Sequence, residues 1–454
     1  MRFRFRGARS SFEIRKGAGN RDMANAEIGT LTHTRHRDTG RTLFATGVYL
    51  ALLLLVFVGL DAFSPPPLVS QFGGVLEVSK GDVLRQILYL GVGALVVLTA
   101  LGRHGIGALR AIPPVMALLL AWCLASALWA PEPNVVVRRA GLEIVIVGSL
   151  LLSVDTVEPQ KAFWWWRWLL ALVLLVNFIS IPLIPAARHL VGETDPALVG
   201  NWRGLYGHKN IAGAVCAITA ILFLFTHTGW KNIVGIAIAA AAVGFLVMTH
   251  SKTSMGFLPV ALLAGLAYRI GWRDGLGRAI LCVAALLLLA ILISFALLDA
   301  GPIAHALEDP REFTGRAAIW AAELRFIADH PLLGSGFGTF ADSGGLSPLH
   351  NYVDSRWVEA VSHGHNGYLQ ILVTIGGVGF VLMMLATVIW PLRRFWALDH
   401  ARDAFKPMLF ALFVFLVLHN FMESDFLEGD AVGWGAMLMV IAALNQPPPR
   451  LVRP

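Results

Sequence analysis

The sequence predicts an all-α, polytopic membrane protein with about twelve transmembrane helices and one large external loop that contains short helices. Three observations carry this. Hydrophobic residues make up 56% of the 454 and charged residues only 14%, where a soluble domain carries about 25% charged. Apolar runs of roughly twenty residues, enough for a helix to cross a bilayer, recur from Leu43 to Leu444. The connectors expected outside are short, except for 185–208 and a long polar excursion at 299–365.

The chain reads in three parts: a tail at 1–42, one transmembrane domain at 43–445 with 299–365 as its large loop, and a second tail at 446–454. The net charge is +7, and residues 1–42, with ten Lys/Arg against four Asp/Glu, hold +6 of it. The remainder is nearly neutral, so nucleic acid is not an expected partner. A basic, disordered tail belongs in the cytoplasm beside anionic lipid, which puts both termini inside. Met23 is a second plausible start, and no cleavable signal is evident, because the first apolar stretch comes late and is long enough to span.

The expected spans lie near 43–60, 84–101, 113–129, 140–154, 165–184, 209–226, 232–248, 254–270, 279–298, 366–390, 407–422 and 431–445. Trp164, Trp165, Trp166 and Trp168 at the start of the fifth read as an interfacial belt. Glu143 in the fourth is a buried carboxylate, a functional candidate by default unless it pairs with Arg138 or Arg139. Cys123, Cys216 and Cys282 all fall in apolar runs and read as packing residues. In the large loop, Thr314 is a good N-cap for a helix from Gly315 to Asp329, stopped by Pro331.

Four polar clusters fall on the same expected side, each just before a helix: Arg203-Gly-Leu-Tyr-Gly-His208-Lys209-Asn210, His250-Ser-Lys252-Thr-Ser254, Thr314-Gly315-Arg316, and His363-Gly364-His365-Asn366. A helix N-terminus offers orphan N–H groups and the positive end of its dipole. With Arg or Lys beside it, it suits a phosphate or diphosphate. No matching set of carboxylates or cysteines accompanies them, so neither a metal nor another cofactor is expected. Each cluster also has a plainer use: Arg203 and Arg316 as interfacial anchors, Lys252 snorkelling, the histidines bonding loop backbone, Asn210 and Asn366 as helix caps.

Taken in order, Gly-x-x-Gly-His-Lys-Asn, Ser-Lys-Thr, Thr-Gly-Arg-x-x-x-Trp, Pro-Leu-Leu-Gly-x-Gly-Phe and His-Asn-Gly-Tyr-Leu resemble the O-antigen ligase and polysaccharide polymerase family, with the wording nearest to exopolysaccharide polymerases of the ExoQ type. The resemblance covers roughly Arg203 to Phe380 and implies an inverting, metal-independent glycosyltransferase in the bacterial inner membrane, its active site facing the periplasm. The donor would be an oligosaccharide on undecaprenyl diphosphate and the acceptor another glycan, with a flippase and a chain-length regulator as possible partner proteins. The family's functional residues fall on Arg203, Arg316 and His365. In that scheme the arginines hold the diphosphate and His365 is the general base, with His208, Lys209, Asn210, Lys252, His363, Asn366 and Arg325 as further substrate-binding candidates. Arg325 enters through an arginine-to-glycine spacing that ends at Gly336; Arg203 to Gly213 falls one residue short of it. A ligase that attaches glycan to lipid A core would use the same machinery. The rival from another class is a secondary transporter of an inorganic anion, and a flippase would need a hydrophilic cavity that these weakly charged spans do not supply.

Overall fold

The computed structural model describes residues 40–64, 83–191, 198–225, 232–271, 316–340, 347–352, 364–397, 405–429 and 431–445. By its internal contacts the chain divides into Met1–Gly47 and Val48–Pro454, and the packing and site described below belong to the second unit. The described helices are α1 (Gly40–Phe57), α2 (Val83–His104), α3 (Pro114–Ala125), α4 (Pro133–Val157), α5 (Pro159–Leu183), α6 (Lys209–Leu224), α7 (Asn232–Thr249), α8 (Lys252–Gly271), α9 (Arg316–Asp329), α10 (Gly367–Met384), α11 (Trp390–Ala397), α12 (Phe405–His419) and α13 (Val432–Leu444). Among the described residues β pairing is limited to one bridge, Arg188 to Trp202.

Eleven of the twelve apolar segments expected from sequence are helical here, and the ninth, 279–298, lies outside the described residues. Among the described residues six helices are long and apolar enough to cross a membrane: α1, α2 with its short extension to Ala111, α5, α7, α8, and α10 continued through α11. α6, α12, α13 and the α3 segment are shorter apolar helices. Proline opens α3, α4 and α5, where its missing N–H is no loss. The core gathers α4 against α2 and α13, α12 against α8, and α6 against α7 and α8. Cys123 and Cys216 are buried packing residues. The tryptophan belt divides: Trp164 and Trp168 are exposed, but Trp166 is wholly buried between Phe57 and Phe163. Two residues, about half a helical turn, separate the outward from the inward face, which a count of tryptophans cannot show. Glu143 is buried and accepts a hydrogen bond from the Trp434 indole at 2.5 Å.

α10 is broken inside its span. Gly376, at φ 67° and ψ −174°, is not helical, so the hydrogen-bond ladder around it is interrupted. The glycine-rich run after α9 repairs it. Ser335 N and Gly336 N donate to Val373 O and Thr374 O, both at 2.8 Å. Gly377 N and Val378 N donate to Pro331 O and Leu332 O at 2.8 and 3.3 Å. The Trp122 indole takes Ile375 O at 3.1 Å. Irregular backbone is tolerated in such a helix only when protein satisfies its polar groups. The run is fixed from outside as well, by Trp129 on Leu333 O, Ser126 Oγ accepting from Phe337 N, and Arg139 on Gly338 O. Glycine is required at Gly334: φ is +67°, and a Cβ there would lie 2.7 Å from Gly376 N. The Gly-x-Gly of this loop is therefore a docking device, and Gly336, the end of the Arg325 spacing, belongs to it.

Gly334→Ala is expected to destabilise the protein by about 1–3 kcal/mol, from left-handed strain and collision with the α10 break. Thermal unfolding of the detergent-solubilised protein measures it, and an unchanged midpoint would refute the docking account.

Candidate active site

The Arg203–Asn210 stretch folds as a plug ahead of α6. Arg203 N and Gly204 N both donate to Ala187 O, the Tyr206 hydroxyl donates to Phe57 O at 2.8 Å, and Leu205 N donates to Asn177 Oδ1 at 3.0 Å. Arg203 itself is 0% exposed. Its Nε donates to Ala186 O at 2.8 Å and its Nη1 to Gly207 O at 3.0 Å. Expected on a donor phosphate, Arg203 here ties down its own loop, because the planar fork that suits a phosphate suits two carbonyls equally well.

Two histidines close the start of α6. His189 Nε2 accepts from Lys209 N at 3.1 Å, and His208 Nδ1 accepts from Asn210 N at 3.2 Å. The rings meet edge to face at 5.3 Å. Burial pushes the His208 pKa down to about 4, against the pull of Glu423 and with help from His189, His365 and Lys209. The neutral ring is the form that can cap a helix. α10 is closed the same way, since Asn366 Oδ1 accepts from Tyr368 N and Leu369 N at 3.0 and 3.1 Å. The first N–H groups of these two helices are thus capped by the chain itself, contrary to the expectation that they stand open to an anion. His208 and Asn366 act here as caps.

The residue that draws the clusters together is Glu423, in the connection between α12 and α13. Its Oε1 accepts from Asn210 Nδ2 at 2.7 Å, and its Oε2 lies 3.3 Å from His365 Nδ1. Its backbone donates to His419 O and accepts from Gly367 N. Asn420 Oδ1 holds Asp425 N and Phe426 N at 3.0 Å each, and Asp425 Oδ2 pairs with His419 Nδ1 at 2.8 Å. The loop that presents Glu423 is therefore rigid. His365 is about one-third exposed and takes φ +50°, a conformation that non-glycine residues hold only where surrounding contacts impose it.

The structure thus brings Asn210 and His365 onto one carboxylate, with His208 close enough to feel its charge and Lys209 next to His208. Lys209 Nζ also donates to His250 O at 3.3 Å. Lys252 is exposed at the first residue of α8, and Arg325 is exposed on α9. Arg316 is the first residue of α9, described for its backbone alone, and His363 and Thr314 lie outside the described residues. The sequence reading did not find Glu423 or His189. Glu423 had a signal: His419-Asn420-x-x-Glu423-x-Asp425 is a fifth polar run between apolar segments, on the same expected side as the other four.

Residues 236–384, from α7 to the end of α10, match the family model described as O-antigen ligase. This region, about a third of the chain, is similar to an O-antigen ligase domain. No curated protein matches the chain. The matched region includes Lys252, Arg316, Arg325 and His365, while Arg203, His208, Lys209, Asn210 and Glu423 lie outside it.

A pH test follows from His208. Its pKa is near 6.5 when unfolded and about 4 when folded, so between those values the unfolded chain binds the extra proton and stability falls as pH falls. His208→Asn, a non-titrating N-cap, is expected to reduce the drop in thermal midpoint between pH 7 and pH 5. An equal drop in both proteins would mean that His208 is not the titrating group.

Proposed function

We propose that the protein transfers a glycan from an undecaprenyl-diphosphate-linked oligosaccharide to a glycan hydroxyl at the periplasmic face of the bacterial inner membrane, inverting the anomeric centre and polymerising exopolysaccharide or O-antigen repeat units. The observation that carries this reading is the His365–Glu423 pair. With Nδ1–H turned to the carboxylate, Nε2 keeps its lone pair for a proton, and Glu423 stabilises the positive charge that develops on the ring. The same division of labour serves a His–carboxylate pair in acyl transfer.

In the reaction His365 Nε2 takes the acceptor hydroxyl proton as the acceptor oxygen bonds to the anomeric carbon. The bond from that carbon to the phosphate oxygen breaks on the opposite face, and undecaprenyl diphosphate leaves with the electron pair. Arg316 at the start of α9, with Lys209 and Lys252 at the starts of α6 and α8, meets the charge growing on the leaving group, where preorganised cations help most. Arg203 supports this set from behind by fixing the loop that leads to Lys209. A flippase would deliver the donor and a chain-length regulator would limit the product. The polar groups gather at helix ends, and the mid-span carboxylate Glu143 is engaged by Trp434, which favours the enzyme over an anion transporter.

His365→Ala is expected to lower turnover about 10²–10⁴-fold while lipid-linked donor binding persists, with a smaller loss for Glu423→Gln. Arg316→Ala should lose donor binding, and Arg316→Lys should recover part of it. Turnover and donor binding on the same purified variants decide this, and loss of binding in step with activity in His365→Ala would make the histidine a diphosphate ligand instead.

The family description favours a second reading, in which the acceptor is lipid A core and the enzyme is a ligase. The two differ in what a deletion strain accumulates: single repeats on lipid are expected for the polymerase, and long chains on lipid would establish the ligase.

A further inference from the structure

α9 meets the backbone just ahead of His365 at two points. The Trp320 indole donates to Gly364 O at 2.7 Å. Almost one turn further, Glu323 lays its carboxyl against Gly364: a Cβ built there would overlap Oε1 and come within 2.7 Å of Cδ and 2.9 Å of Oε2. Glu323 is 1% exposed, on the same buried face of α9 as Ile319, Ala322 and Phe326. Its Oε2 is buried and makes no hydrogen bond. An apolar side chain would suit that face better, since an unbonded polar group there costs desolvation energy. Burial pushes its pKa up to about 8, so at neutral pH the group is an uncharged acid that amide can imitate.

We infer that Glu323 is a positioning residue for His365: its carboxyl occupies the space beside Gly364 and, with Trp320, fixes the left-handed turn that aims the imidazole at Glu423. This rests on His365 as the base. The turn has φ +50° at His365, and removing a wall of the pocket that imposes such a conformation releases it. The same contact links the base to the helix whose first residue is Arg316.

The test is a double-mutant cycle on the full-length protein in detergent or liposomes, read as kcat, KM for the lipid-linked donor, and protein level. Glu323→Ala is expected to lower kcat roughly ten- to a hundredfold, as misplacement of a catalytic group does, with KM within about twofold, and Glu323→Gln to recover most of kcat. Gly364→Ala should lower kcat as well, because its methyl meets the carboxyl. Glu323→Ala combined with Gly364→Ala should then be more active than Gly364→Ala alone, since the methyl enters the vacated space. Should Glu323→Ala fail to accumulate, Trp320→Phe, which removes the other contact to Gly364, must still give the kcat-type loss. Full turnover in Glu323→Ala, strictly additive losses in the cycle, or a change confined to KM would each overturn the inference. His365→Ala in the same assay separates the two levels: if it keeps its turnover, the reading of the base fails, and if it alone is inactive, that reading stands and the role of Glu323 falls.

Discussion

One carboxylate holds the site together. Glu423 takes Asn210 at the start of α6 with one oxygen and His365 at the start of α10 with the other. Remove its charge and two helix starts lose their common partner. The carboxylate can do this because its own backbone is immobilised. Its N–H goes to the end of α12, its carbonyl receives Gly367, and the neighbouring Asn420 and the His419–Asp425 pair hold the rest of the turn. Two segments remote in sequence are thus referred to a single rigid connection, which lets a partly exposed histidine keep a strained orientation.

The large loop is anchored on the other side of His365 by a different kind of interaction. Where α10 breaks at Gly376, the backbone of Pro331–Gly336 supplies partners for Val373 O, Thr374 O, Gly377 N and Val378 N, and the Trp122 indole takes Ile375 O. An unsatisfied break would be expensive in a membrane helix, and an unanchored loop would carry α9 with no fixed relation to His365. Each defect cures the other. The glycines of the motif supply left-handed turns and close approach, the geometry of main chain packed on main chain.

Electrostatics follow from this packing. A helix start is attractive to an anion only while its N–H groups are open, and α6 and α10 are closed by His189, His208 and Asn366. In the proposed reaction Lys209, Lys252 and Arg316, at the starts of α6, α8 and α9, would meet the diphosphate, while buried Arg203 donates to two carbonyls. Capping histidines must stay neutral to cap, and the burial that keeps His208 neutral is part of the same construction.

The sequence by itself determined the class of the molecule and most of its wording. Apolar runs of spanning length leave the backbone no option but helix, and the polar clusters stand out because little else in the chain is polar. His365 and Asn366 were legible as the beginning of a helix, and the α9 helix was legible to within a residue of its start. What those side chains touch was decided by the tertiary structure. Glu423 lies 58 residues from His365 and 213 from Asn210, and periodicity carries no information over such distances. Glu323 reads as an ordinary polar position on a surface helix until α9 is laid against Gly364. Arg203 looks like a phosphate ligand until its loop folds over it. Local patterns fix where a helix starts and which residues crowd there; only the packing of one helix start against another settles which of them face each other, which are sealed, and which stay open to a substrate.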